Sequence, residues 1–78
     1  MAHRVIDWRK VGAKVLDAAI EKGWSDARLA EEAGLSQATV CKVFNGYRVS
    51  IQSLLDILEP LNLTPDYVLG YWDGDDDG

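Results

Sequence analysis

Apolar positions recur every three to four residues along most of this chain, and the intervals are punctuated by helix start and stop residues. From Asp7, a plausible N-cap, the stripe Trp8, Val11 or Gly12, Val15, Leu16, Ala19 and Ile20 predicts a helix over about 8–22 that Gly23 stops. Asp17, Glu21, Lys14 and Lys22 fit its solvated face, and Trp24 should staple back onto the core. Ser25 caps a second helix carrying Leu29, Ala30 and Ala33, which Gly34 ends in a left-handed C-cap. Leu35 plugs the turn, and Ser36 caps a third helix over 37–44 with Val40, Val43 and Phe44 on one face. Asn45-Gly46 closes it. After the loop Tyr47-Arg48-Val49, Ser50 caps a fourth helix with Ile51, Leu54, Leu55, Leu58 and Leu61 as its inward ladder. Pro60 cannot donate to the Asp56 carbonyl, so that helix should kink or end near Glu59, with Asn62 in the left-handed role. Thr64-Pro65-Asp66 starts a short fifth helix over 65–69, ending at Gly70. No alternating run long enough for a strand is present, and there are no internal repeats.

The resulting expectation is all-α: one five-helix domain over residues 1–72. With 78 residues, a single domain of modest stability is the default. Helices 2 and 3, joined by a glycine-containing turn, are spaced as a helix-turn-helix. Spacing alone fits an ordinary helical hairpin equally well. What separates them is the outward face of helix 3, where Gln37, Ala38, Thr39, Cys41 and Lys42 are small or polar and mostly uncharged. A helix that enters the DNA major groove presents its N-terminal residues to base edges in this way.

Charge leaves that reading open. The net charge is -5, but Asp73, Asp75, Asp76 and Asp77 concentrate the excess in an acidic, disordered tail over 73–78. Residues 1–72 hold all eight Lys and Arg against nine Asp and Glu. The tail DGDDDG matches the opening half of a calcium loop, yet lacks the acid and flanking helix that complete one, so it reads as solvated. His3 and Arg4 sit in a short solvated arm, and no Cys/His cluster has metal spacing. The single Cys41 cannot form an internal disulfide, which fits a reduced, cytoplasmic setting. No apolar run spans a bilayer and no signal-peptide segment is recognisable. Nothing in the pattern calls for a cofactor, a metal or a small-molecule ligand. An enzyme is disfavoured: no nucleophile–base pair or phosphate-cradling glycine loop is present, and Glu31 and Glu32 are adjacent on a helix and point apart.

The segment LAEEAGLSQATVCKVFNG, the leucines 54, 55, 58 and 61, and then LTPDYVL resemble the phage-repressor type of helix-turn-helix, the family of Cro and the lambda-repressor DNA-binding domain. The resemblance covers about two thirds of the chain; helix 1 fits by length and pattern only. It implies a lambda-repressor-like fold and a sequence-specific double-stranded-DNA-binding regulator, a phage or bacterial repressor on an operator. By that resemblance Gln37 opens the recognition helix and reads a base, and Ala38, Thr39 and Lys42 fall where members contact bases. Glutamine suits adenine, lysine suits guanine acceptors, and alanine can touch a thymine methyl. Ser36, Asn45, Tyr47, Arg48, Ser50 and Gln52 fall at phosphate-contacting positions, where a helix N-terminus is itself an anion site. A homodimer would read two half-sites about one turn apart. Tyr67, Val68, Tyr71 and Trp72 are the dimer-contact candidates, the alternative being that they cover the bottom of helix 1.

Three positions depart from the family pattern. Asp26 stands where many members have a glutamine that clamps phosphate and braces the recognition helix, and Arg28 is the residue available to offset its charge. The usual proline near positions 49–50 is absent. Cys41 replaces a common serine, either as an inert small side chain or as a redox switch. Asp26, the net acidity and the aromatic C-terminus also fit an alternative: a protein-interaction module of the same fold that lost DNA and binds a repressor or a polymerase subunit.

Overall fold

The computed structural model describes residues 6–69. The expected tail at 73–78, Tyr71, Trp72, His3 and Arg4 lie outside that range. Among the described residues there are five helices and no strand: α1 (Trp8–Lys22), α2 (Asp26–Ala33), α3 (Gln37–Phe44), α4 (Ile51–Leu61) and α5 (Pro65–Leu69).

Local chemistry accounts for most of the boundaries. The Asp7 carboxylate accepts from the amides of Arg9 and Lys10, and the hydroxyls of Ser25, Ser36 and Ser50 accept from those of Arg28, Thr39 and Ser53. Each acceptor satisfies amides that the first helical turn leaves without a partner. The Thr64 hydroxyl does the same for Tyr67 at α5. Gly23 and Gly34 end α1 and α2 at φ of 74° and 73°, and Asn62 ends α4 at φ 59°. At α3 the residue with positive φ is Gly46, one place beyond the Asn45 cap.

α2 packs against α3 and α4, while α1 lies across α3, α4 and α5. The core is Val11, Val15, Ala19, Leu29, Ala30, Val40, Val43, Leu54, Ile57, Leu58, Leu61 and Val68, with Trp8, Trp24, Leu35 and Phe44 packed partly against it. α3 therefore spends one face on the interior and is held from behind by α1, α2 and α4.

Several expected positions are corrected. Ile20 is 62% exposed rather than inward. The buried stripe of α1 runs Val11, Val15 and Ala19, and Ile20 lies about 100° further round the helix. In α4, Ile51 and Leu55 are exposed and Ile57 is fully buried in their place. The helix is apolar on several sides, so the direction of packing, not periodicity, selects the inward face. α4 runs through Pro60 and ends at Leu61, two residues beyond Glu59. Near a C-terminus the cost of a missing amide is small, and the turn is closed by Asn62 and Leu63 donating to the carbonyls of Glu59 and Leu58. Val68 is fully buried in the monomer, so its side chain is not a surface for a second chain. Tyr67 is exposed.

Candidate nucleic-acid interface

The turn between α2 and α3 is set by Gly34, whose left-handed backbone lets Leu35 N–H reach the Ala30 carbonyl at 2.9 Å. Leu35 packs against the core and Ser36 starts α3 at once. Val40 and Val43 anchor α3 inward at no exposure, which leaves Gln37, Ala38 and Lys42 exposed on the opposite side. Thr39 is half-buried, and its hydroxyl lies 2.9 Å from that of Ser36.

Cys41 lies on the Gln37 flank of α3, where that helix passes the start of α2. It is half-buried, and its thiol donates to Asp26 Oδ2 at 2.8 Å. Gln37, one turn earlier, donates from Nε2 to Asp26 Oδ1 at 3.1 Å. Asp26 thus ties the first residue of α2 to two side chains of α3. The Cys41 and Gln37 donors hold its carboxyl below the usual carboxylate range, against a smaller opposing effect of burial. The same bond pushes the Cys41 thiol up, helped by partial burial and by the Asp26 charge. Arg28 does not offset Asp26: it pairs with Glu32 at 2.9 Å and lies over the Trp24 ring, 5.1 Å from its centre.

The flanking polar residues are placed unevenly. Asn45 is exposed and donates from Nδ2 to the Cys41 carbonyl at 2.8 Å, which caps the end of α3. Ser50 caps α4, and Gln52 donates to Asp56 on its own helix at 3.1 Å. Tyr47 and Arg48 are exposed in the loop between α3 and α4. Among the described residues neither Lys42 nor Arg48 is paired with an acid. Among those same residues no group of His, Cys, Asp and Glu could hold a metal ion, and no helix is long and apolar enough to cross a membrane.

Asp26 was the residue whose partners sequence reasoning missed. The signal was available: Gln37 and Cys41 are four apart and so share a face of α3. What spacing could not supply was that this face passes the start of α2.

A helix-turn-helix family model matches residues 16–68, more than half of the chain. The chain belongs to the helix-turn-helix family. It is accordingly a DNA-binding transcription regulator and not an enzyme. Among solved structures it is similar to variants of the restriction-modification controller protein C.Esp1396I. A tyrosine-to-phenylalanine variant superposes with a TM-score of 0.69 at 22% identity, covering 81% of each chain. An arginine-to-alanine variant gives 0.68 at 22% identity, over 82% of this chain and 87% of that one. At that identity the likeness establishes the fold. No curated protein matches the chain.

Proposed function

We propose that this helix-turn-helix protein recognises a specific double-stranded DNA operator through α3 and acts as a bacterial or phage repressor in the cytoplasm. The observation that carries this reading is the exposed side of α3. Gln37, Ala38 and Lys42 face outward from a helix whose other side is sunk in the core. Gln37 and Lys42 supply hydrogen-bonding groups to base edges, with Ala38 small enough for close approach and Thr39 beside them. Arg48 and Tyr47, with the polar ends of Ser36, Asn45, Ser50 and Gln52, flank α3 and supply phosphate contacts. A homodimer on two half-sites is part of the proposal, with exposed Tyr67 as the contact residue within the described range.

The alternative, a protein-interaction module without DNA that binds a repressor or a polymerase subunit, rests on Asp26, the net acidity and the aromatic C-terminus. The Asp26 carboxylate accepts two hydrogen bonds from α3, which gives it a bracing role inside the domain while its negative charge remains. The test is a mobility-shift titration with operator candidates selected from random duplexes, repeated across a salt series. Binding that is site-selective and weakens steeply with salt is expected. Absence of any selected duplex at low ionic strength refutes the DNA reading.

A further inference from the structure

Several cations of the described residues are spent inside the domain. Lys14 is bound to Tyr67, Lys22 lies over the Trp24 ring, and Arg28 is shared between that ring and Glu32. Lys42 and Arg48 belong to the interface described above. Arg9 and Lys10 remain, in the first turn of α1, and it is Arg9 whose stem packs against that interface.

The contact is made at Gly46, where a Cβ would stand 3.2 Å from Arg9 Cγ and 3.4 Å from Arg9 Cα. One turn further along α1, Gly12 lies against the Val43 carbonyl. A glycine on each side of the crossing thus lets the first turn of α1 settle on the end of α3. Arg9 comes to stand beside the loop that carries Tyr47 and Arg48. It is exposed, and among the described residues no acid pairs with it. Ile6, Asp7, Trp8, Arg9 and Gly46 line an open groove along this contact. The amides of Arg9 and Lys10 already donate to the Asp7 carboxylate, so an anion in the groove meets the guanidinium and not the helix end.

We propose, resting on the reading of α3 and its following loop as the DNA-contacting surface, that Arg9 is a further phosphate-binding residue. Its guanidinium takes a DNA phosphodiester on the flank of the half-site, which extends the contacted backbone past the phosphate at Arg48. A guanidinium matches two phosphate oxygens at once and keeps its charge at any working pH. For a chain of net charge -5, one more neutralised phosphate is a substantial share of the affinity.

The experiment is a salt series of mobility-shift titrations with wild type, Arg9→Gln, Arg9→Lys and Arg48→Ala, on the duplex that wild type selects from a random pool. Arg9→Gln keeps the stem that rests on Gly46 and removes the charge, so its helical spectrum and melting transition should match wild type. It should bind every duplex about tenfold more weakly at low salt, with the base profile unchanged, and its salt slope should be flatter by about one unit. Arg9→Lys should restore most of the slope. Duplexes with a single neutral methylphosphonate, scanned along the flank, test the same contact with wild-type protein. One position, distinct from the one that Arg48→Ala silences, should cost wild type the same factor and cost Arg9→Gln nothing further. An unchanged slope in Arg9→Gln, or the absence of any such position, overturns the proposal. DNA recognition by α3 and its loop then still stands if Arg48→Ala flattens the slope. No selected duplex with wild type overturns the recognition reading and this proposal with it.

Discussion

Gly12 lies against the main-chain carbonyl of Val43, so closely that a Cβ at that position would collide with the carbonyl oxygen. This is where α1 crosses α3, and the carbonyl is not free to retreat because it also accepts from Gly46 N–H at 3.0 Å. The obstacle is backbone, not the end of a flexible side chain. Gly12→Ala should therefore destabilise the domain by about 1–3 kcal/mol or more, the usual range for overpacking. For a domain of this size that lowers the melting temperature by roughly 4–8 °C per kcal/mol. Thermal unfolding followed by circular dichroism measures it, and a melt equal to wild type contradicts so close an approach of α1 and α3.

Gln37 and Arg48 should fail differently on DNA. If Gln37 meets a base edge as proposed, Gln37→Ala should weaken binding to the preferred site by about 1–3 kcal/mol and relax selectivity at one base pair. Arg48→Ala removes the proposed phosphate contact. It should weaken binding to all sequences alike and reduce the salt slope by about one unit. Equal salt slopes for wild type and Arg48→Ala count against the phosphate role.

The Cys41 thiol is held protonated by Asp26, so it should be a poor nucleophile in the native protein. Its raised pKa means the folded state binds the proton more tightly than the unfolded chain. That contribution to stability is present below the ordinary thiol range, near about pH 8.5, and is lost as pH rises through the higher folded value. Alkylation at about pH 8.5 should be slower in the native chain than in denaturant. Asp26→Asn should speed it, since both the charge and the strong acceptor are weakened. Equal native and denatured rates contradict the bond.

Asp26 carries the opposite sign. Its lowered pKa, caused first by Cys41 and then by Gln37, adds stability above the unfolded carboxylate range that is lost as pH falls through the folded value. Acid unfolding of Asp26→Asn should be the less steep of the two. Coincident acid transitions in the two proteins remove this linkage.

Lys14 holds α5 to α1. Its Nζ donates to the Tyr67 carbonyl at 2.7 Å and sits 4.7 Å from the centre of the Tyr67 ring. A cation at a helix C-terminus answers the unpaired carbonyls there. Lys14→Ala should cost about 1 kcal/mol and loosen α5 ahead of the rest of the domain. Hydrogen exchange at the Val68 amide, which donates to the Thr64 carbonyl, reads this directly. Unchanged protection at Val68 refutes it.

Caps carried most of the legible information. Asp7, Ser25, Ser36 and Ser50 begin helices through bonds spanning two or three residues, and Gly23, Gly34 and Asn62 end them through backbone conformations of a single residue. Such bonds are written in short stretches, so the five helices could be read before any packing was known, while the helix-turn-helix was separated from an ordinary hairpin by the outward face of α3 and the family resemblance. The outward placement of Gln37, Ala38 and Lys42 was legible for the same reason, since Val40 and Val43 orient α3 by periodicity.

Packing decided the rest. Ile51, Leu55 and Ile57 are all apolar, and only the approach of α1, α2 and α3 tells which of them is inside. Val68 looked available to a second chain until the core closed over it. Asp26 read as a stray charge because its partners lie eleven and fifteen residues away, across a turn. By itself the sequence determined where the helices start and stop, because capping and periodicity act within a few residues. Only the tertiary structure decided which apolar face is buried and which donors an exposed acid meets, because both depend on how segments distant in the chain are brought side by side.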